Sequence, residues 1–453
     1  MRGWSGEQIA GAAGARIVVA PRQPDGPERA VIDSREAGPG ALFVGLPGAN
    51  VDGGAFAAAA LAGGAWGVLV ASAHADAAAA GRGGSPGAVL VADDALAALQ
   101  GLARAWRREL GARVIGVTGS SGKTSTKDLL LAILSRDRRT FASRMNFNTE
   151  IGVPLEILSA PAGTEVLVLE MGMRGAGQIA ELAAIAEPDV AVVVNVGAAH
   201  LELLGTVEAI AAAKAELIAA LPVHGTAVVP AGEPLLGPHL RADVTTVTFG
   251  PGGDVSVKNV DGERVEIDLH GSPVTLEFPL TQPHMRLNLL AAVAAAHAVG
   301  VTPGGRIEAV ISAGRGERRQ LSGGVTLIDD CYNANPISMH AALDDLVAGA
   351  APDRRLVAVL GDMLELGPQA GAFHLEVGDL ADRLGVGLLV TVGPLAAAMA
   401  PHFSREVHAV ADAAEAASLV PRLLRDGDLV LVKGSRGVGL EAVCRALTGA
   451  VVA

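Results

Sequence analysis

Short apolar runs alternate with stretches of helical periodicity along this chain. "ALFVGLPG" (41–48), "WGVLVA" (66–71) and "AVLVADD" (88–94) read as buried strands, with a helical "GAFAAAALAGG" between the first two. Asp93 or Asp94 stands where it can cap the amphipathic helix "ALAALQGLARAWRREL", and "GRGGSPG" (81–87) is a surface loop. A second series opens with the strand "RVIGVTG" (113–119) and the helix "KTSTKDLLLAIL". "EVLVLEMG" (165–172) and "DVAVVVNVG" (189–197) are continuous apolar runs, as expected for parallel strands covered on both faces. "GQIAELAAIAEP" between them and "TVEAIAAAKAELIAAL" after them read as helices.

The period then changes. "VSVKNV", "VEIDL" and "VTLEF", within about 244–280, alternate polar and apolar positions between Gly-containing turns and predict a small antiparallel sheet. "LNLLAAVAAAHAV" (287–299) is helical again. From about 314 the strands "VTLIDD", "LVAVLGD", "LLVTVG" and "LVLVKG" alternate with helices, predicting another open sheet. The expected fold class is therefore α/β, in three consecutive α/β units over 1–110, 111–313 and 314–453.

A chain of 453 residues is too long for one core, which agrees with three units. The net charge of −13 argues against a broad nucleic-acid or anionic-membrane surface, while a few local cations suffice for a nucleotide. The two cysteines, Cys331 and Cys444, follow no metal or disulfide spacing, which fits a reducing compartment. No apolar stretch reads as a membrane span or a signal peptide, so a soluble, cytoplasmic protein is expected; a monomer is the expected state.

Candidate chemistry begins at "GVTGSSGKTST" (116–126). A strand ends, a Gly/Ser turn follows and a helix starts, so backbone N–H groups and the positive helix end converge on an anion. The loop would comprise Gly119, Ser120, Ser121, Gly122, Lys123, Thr124 and Ser125. Lys123 can reach phosphate oxygens, and the Thr124 hydroxyl can ligate Mg²⁺. The usual spacing places the first glycine at 117, which is Val117 here. Glu170 and His200 follow two further strands and fall on the same sheet edge, where ligands of open parallel sheets sit. Lys214, on a helix, reads as a solvated charge unless carbon dioxide adds to its amine to form a carbamate. In the third unit "DDCYNANP" (329–336) offers carboxylate, ring and amide groups for a nucleoside, or an Asn/Pro turn. "GDMLELG" (361–367), with His374 nearby, and "VKGSRG" (432–437), with Lys433 and Arg436, mark further strand ends.

Taken in order, "VTGSSGKTSTKD", "NFNTEIGVP", "EMGMRGAGQIAEL", "NVGAAHLELLG", "KAEL" and "DDCYNANP" resemble the ATP-dependent Mur ligases of bacterial peptidoglycan synthesis, nearest to the branch that adds D-alanyl-D-alanine. The family writes its phosphate loop T-G-x-x-G-K-T/S, which Thr118 to Thr124 satisfies. The resemblance implies a UDP-sugar domain, a central ATPase of the P-loop type with an antiparallel β extension, and a Rossmann-like C-terminal domain that closes on ATP and binds D-Ala-D-Ala. It implies that Asp33, Ser34 and Arg35 contact the uridine end, and that Asn146, Asn148 and Thr149 line the sugar and peptide path. Thr124 and Glu170 would hold one Mg²⁺; Glu170, His200 and a carbamylated Lys214 would hold a second. His284 and Asn288 would meet adenine, although Met285 departs from the family's His-Asn-x-x-Asn. Arg315, Asp330, Tyr332 and Asn335 would reach the nucleotide, and Lys433 and Arg436 the substrate.

The expected reaction is ATP-driven amide formation between UDP-MurNAc-tripeptide and D-Ala-D-Ala through an acyl phosphate. Rival readings are a Mur ligase adding a single amino acid, a folylpolyglutamate synthase sharing the core, and a catalytically silent nucleotide-binding regulator.

Overall fold

The computed structural model describes residues 1, 3–23, 25–144, 146–279, 282–351 and 353–449. The first sheet has five strands. Arg29–Val31, Ala41–Val44, Gly67–Ala71 and Ala88–Ala92 run parallel, and Arg16–Val19 pairs antiparallel with the last of these. Asp94, rather than Asp93, caps Ala95–Leu110, accepting from the N–H groups of Leu96 and Ala97 at 2.8 and 3.0 Å. This helix joins the first unit to the second. The Trp106 indole N–H donates to Ala160 O at 3.1 Å. The Arg104 and Arg107 guanidiniums cap the carbonyls of Ala184 and Ala186 at the end of Gln178–Ala186, where cations offset the helix dipole. One hydrophobic core runs through both units.

The central sheet has ten strands. Thr140–Ala142, Val166–Glu170, Arg113–Thr118, Val190–Val193, Thr226–Pro230 and Thr245–Phe249 lie parallel in that spatial order. Val255–Asp261, Arg264–Leu269 and Ser272–Glu277 continue the same sheet as an antiparallel meander. The period-two region is thus an extension of the parallel sheet, and its first strand, Thr245–Phe249, belongs to the parallel part. Three residues make Thr140–Ala142 too short for a periodic signal. Helix Pro283–Ala298 begins four residues before the predicted start, with Pro283 in its first turn, where the missing N–H costs nothing. Its alanine-rich face is buried in the same core as Leu129, Leu130, Ile133 and Leu134 of helix Lys123–Leu134.

The third sheet has the order Glu317–Gln320, Thr326–Asp330, Leu429–Lys433, Leu356–Gly361, Leu388–Val392, Glu406–Val410, parallel except for the first strand. Both edge strands, "ERRQ" and "EVHAV", are charged and half-exposed, which protects an edge but hides it from apolar pattern reading. Thr326–Asp330, Leu429–Lys433 and Leu356–Gly361 end towards the phosphate-loop edge of the central sheet. Among the described residues no helix is long and apolar enough to cross a membrane.

Candidate active site

The loop 119–122 leaves strand Arg113–Thr118, third from one edge of its sheet and inside the parallel part, and enters helix Lys123–Leu134. Gly122 has φ +76°, and a Cβ there would lie 2.4 Å from Asn288 Oδ1, so both conformation and space require glycine. Neighbouring backbone fixes the loop. The Ser121 N–H donates to Asn195 Oδ1 at 2.9 Å, Asn195 Nδ2 donates to Ser121 O at 3.1 Å, and Ser120 Oγ bonds both backbone groups of Gly197. The Lys123 ammonium donates to Gly119 O at 2.8 Å. Burial lowers its pKa, the Glu170 carboxylate opposes that, and the Arg315 guanidinium adds to it.

Under the loop, Thr124 Oγ1 donates to Glu170 Oε2 at 2.6 Å, and Asn148 Nδ2 donates to Glu170 Oε1 at 2.8 Å. Glu170 ends a fully buried strand and is itself buried. His200 follows Val190–Val193 and sits at φ +60°, immediately before the short helix Leu201–Leu204. Lys214 lies in helix Val207–Ala219, two residues from Glu216. Glu216 accepts from the N–H groups of Gly177 and Ala180 and so docks this helix against the start of Gln178–Ala186. Lys214 is 1% exposed; burial, with the Lys123 ammonium nearby, pushes its pKa well down. That shift favours the neutral amine, the form that can add carbon dioxide. The Thr124 hydroxyl and the Glu170 carboxylate are oxygen donors that suit a hard cation such as Mg²⁺, and a carbamate on Lys214 would add a third.

The third unit faces this edge. Asn335 caps helix Pro336–Ala348, accepting from the Ser338 N–H at 2.9 Å, and donates to Ser120 O of the phosphate loop at 2.9 Å. Gly197 packs so tightly against Ile337 that a Cβ would meet its Cδ1 at 1.9 Å. The guanidiniums of Arg315 and Arg436 both lie against the Tyr332 ring, 4.2 and 4.9 Å from its centroid. Asp330 accepts from Lys433 Nζ at 2.7 Å, so the buried Lys433 is engaged within its own unit. Arg315 Nε and His284 Nδ1 are buried without a hydrogen-bond partner among the described residues, as donors and acceptors awaiting a ligand would be. Burial lowers the His284 pKa. Asn288 Nδ2 contacts Met285 Sδ at 3.6 Å, so the methionine that departs from the family pattern packs directly on the asparagine.

One cavity of about 1060 Å³ gathers these groups. Gly119, Ser120, Ser121, Gly122, Lys123, Thr124, Ser125, Asn146, Asn148, Thr149, Glu170, His200, Lys214, His284, Asn288, Arg315, Asp330, Tyr332, Asn335, Lys433 and Arg436 all line it. Ser34 and Arg35 do not; they start a short turn in the first unit, where the 87% exposed Arg35 side chain pairs with Asp33 and holds its carboxyl down at about 2. His374, noted beside "GDMLELG", is fully buried away from the cavity, where its Nε2 accepts from the Met363 N–H at 2.8 Å. Asn195 and Glu365 were not anticipated as site residues. Glu365 lies inside the stretch singled out above, but nothing local marks which member of "GDMLELG" points outward. The two cysteines, unpatterned in sequence, meet in space: Cys331, Cys444 and Asp329 offer ligand atoms within 4.8 Å of one another.

The family model for the Mur ligase middle domain matches residues 117–296, and that for the Mur ligase glutamate ligase domain matches 314–436. The UDP-N-acetylmuramoyl-tripeptide–D-alanyl-D-alanine ligase of Bacillus subtilis is 37% identical over 80% of this chain and 81% of its own. MurF from Acinetobacter baumannii superposes with a TM-score of 0.85 at 30% identity, covering 98% of this chain and 99% of its own. MurF ligase from Thermotoga maritima, solved in complex with ADP, gives 0.79 at 31% identity, covering 93% and 97%.

Proposed function

The chain belongs to the Mur ligase family, and from that premise we propose that it couples ATP hydrolysis to addition of D-alanyl-D-alanine to UDP-MurNAc-tripeptide in cytoplasmic peptidoglycan precursor synthesis. The observation that carries this reading is the single cavity in which the phosphate loop and Glu170 of one unit face Asp330, Tyr332 and Arg436 of another. Relatives named for the dipeptide reaction, 37% identical and matched over most of the chain, favour this branch over single-amino-acid ligases.

A carboxylate is a poor electrophile because oxide is a poor leaving group. The terminal carboxylate of the tripeptide attacks the γ-phosphorus of ATP, the bond to the ADP oxygen breaks, and an acyl phosphate forms. The amine of D-Ala-D-Ala then attacks the acyl carbon, the C–O bond to phosphate breaks, and an amide and inorganic phosphate result. Lys123 and Arg315 hold phosphate oxygens along this path, and the loop amides orient them. Thr124 and Glu170 would hold one Mg²⁺, and Glu170, His200 and a carbamylated Lys214 a second. When bound, these ions neutralise the polyphosphate and lower the cost of bringing a second anion up to it. His284, Asn288, Asp330, Tyr332 and Asn335 would border the nucleoside, and Asn146, Asn148, Thr149, Lys433 and Arg436 the peptide path. Ser34 and Arg35 would take the uridine end, since an elongated nucleotide-sugar peptide can reach from the first unit into the cavity. The units are assigned as 1–110 for the UDP-sugar, 111–313 for ATP and 314–453 for closure and the dipeptide.

The test is phosphate release from Mg-ATP with UDP-MurNAc-tripeptide, with and without D-Ala-D-Ala. Dipeptide-dependent release with matching UDP-MurNAc-pentapeptide by mass is expected. Turnover with a single amino acid would move the chain to another branch, and no turnover despite ATP binding would leave a regulator.

A further inference from the structure

His200 and Glu365 touch across the boundary between the central and third units, and both hold left-handed backbone, φ +60° and +63°. Only five non-glycine residues among those described do so. Left-handed backbone at a histidine and a glutamate is retained where surrounding structure over-determines it, and such residues concentrate at functional sites. Here two of the five are in direct contact.

The contact joins Glu365 Oε2 to His200 Nδ1. Among the described residues the His200 ring has no other hydrogen-bond partner, so its own unit leaves its orientation open. The loop carrying Glu365, by contrast, is rigidly held. The Met363 N–H donates to His374 Nε2 at 2.8 Å, and the Leu364 N–H donates to Ser435 Oγ at 2.9 Å. The Glu202 N–H donates to Glu365 O at 3.2 Å, which pins the loop tip against the segment bearing His200.

A carboxylate on Nδ1 selects the tautomer with the proton on that nitrogen and leaves the Nε2 lone pair free for a cation. We infer that Glu365 is a positioning residue: it orients His200 for a divalent cation from the opposite unit, so the second cation site is complete only when the third unit is closed. By linkage, cation binding at His200 and closure favour each other. This rests on the metal role proposed for His200 above.

The experiment counts Mn²⁺ bound to the full chain with a non-hydrolysable ATP analogue, by electron paramagnetic resonance of free Mn²⁺, and follows closure by small-angle X-ray scattering. His200→Ala should remove one of two sites. Glu365→Ala should weaken that site by about 10- to 100-fold, the usual cost of losing an outer-shell partner, and abolish the Mn²⁺-dependent compaction. Glu365→Gln, whose amide oxygen can still accept from Nδ1–H, should restore most of both, whereas Glu365→Met, similar in size but without that acceptor, should not. Thermal melts confirm that each variant is folded. If His200→Ala weakens Mn²⁺ binding and Glu365→Ala does not, the positioning role is wrong and the metal reading survives. If His200→Ala itself changes nothing, both are overturned.

Discussion

The Thr124 hydroxyl donates to the Glu170 carboxylate at 2.6 Å, linking the first turn of one helix to the end of a buried strand. The pair places two oxygen ligands directly beneath the phosphate loop. Glu170→Gln keeps the volume and the contact with Thr124 but removes the negative charge that attracts a divalent cation. Its kcat with Mg-ATP should fall by at least 100-fold, the scale on which charge-stabilising groups act, while metal-free nucleotide binding by calorimetry stays within a few-fold. Unchanged kcat would remove Glu170 from the cation site.

The Lys123 ammonium donates to Gly119 O, a bond that a phosphate oxygen can replace without moving the helix. Lys123→Ala should therefore reduce ligation by two to three orders of magnitude, as loss of a phosphate-clamping donor does. Lys123→Arg should not restore it, because the larger planar guanidinium cannot occupy a buried point-charge site. Ligation by Lys123→Ala near the normal rate would refute the mechanism.

Much of this was legible in the chain. Continuous apolar runs announce parallel strands because both faces are covered, and the strand–turn–helix junction at 113–134 announces the phosphate loop because chemistry and geometry coincide there. Edge strands such as Glu317–Gln320 and Glu406–Val410 stayed hidden because their charged residues serve solvation. Site residues whose role depends on another unit were equally hidden. Glu365 becomes meaningful only beside His200, 165 positions away, and Cys331 only beside Cys444.

Cys331 and Cys444 are 2% and 4% exposed, and Cys331 donates its S–H to Asp329 Oδ1 at 3.0 Å. Its hydrogen bond with Cys444, then burial, push the Cys331 thiol far up, leaving almost no thiolate, the reactive form. Neither thiol should react with a disulfide reagent in the folded protein on a timescale of minutes. Both should react promptly in denaturant. Rapid labelling of the native chain would mean that the helix Glu441–Thr448 opens readily.

Lys214 predicts a dependence on carbon dioxide. Burial lowers the pKa of its amine and so favours the neutral form that adds carbon dioxide. Growth of a carbamate carbon signal in ¹³C-bicarbonate, absent in Lys214→Ala, is expected. Activity should fall in rigorously carbon-dioxide-free buffer and return with bicarbonate. Full activity without bicarbonate, and no such signal, would show the lysine to be unmodified.

His374 supplies the pH dependence of folding. Its Nε2 accepts the Met363 N–H and its Nδ1 donates to Ala370 O at 2.6 Å, so the buried ring is neutral and both nitrogens are used. Burial pushes its pKa below the ordinary 6.5, against a weaker opposing pull from Ala370 O and Asp362. The unfolded chain therefore binds the proton more readily than the native one. Stability from this residue is complete above the unfolded value and declines as pH falls through 6.5 towards the folded value. His200 and His284, also shifted down chiefly by burial, act in the same direction. The melting temperature should drop between pH 8 and pH 5.5. His374→Phe should melt lower throughout, because the Met363 N–H loses its acceptor, yet show a shallower drop over the same interval. An equally steep drop in that variant would place the acid sensitivity elsewhere.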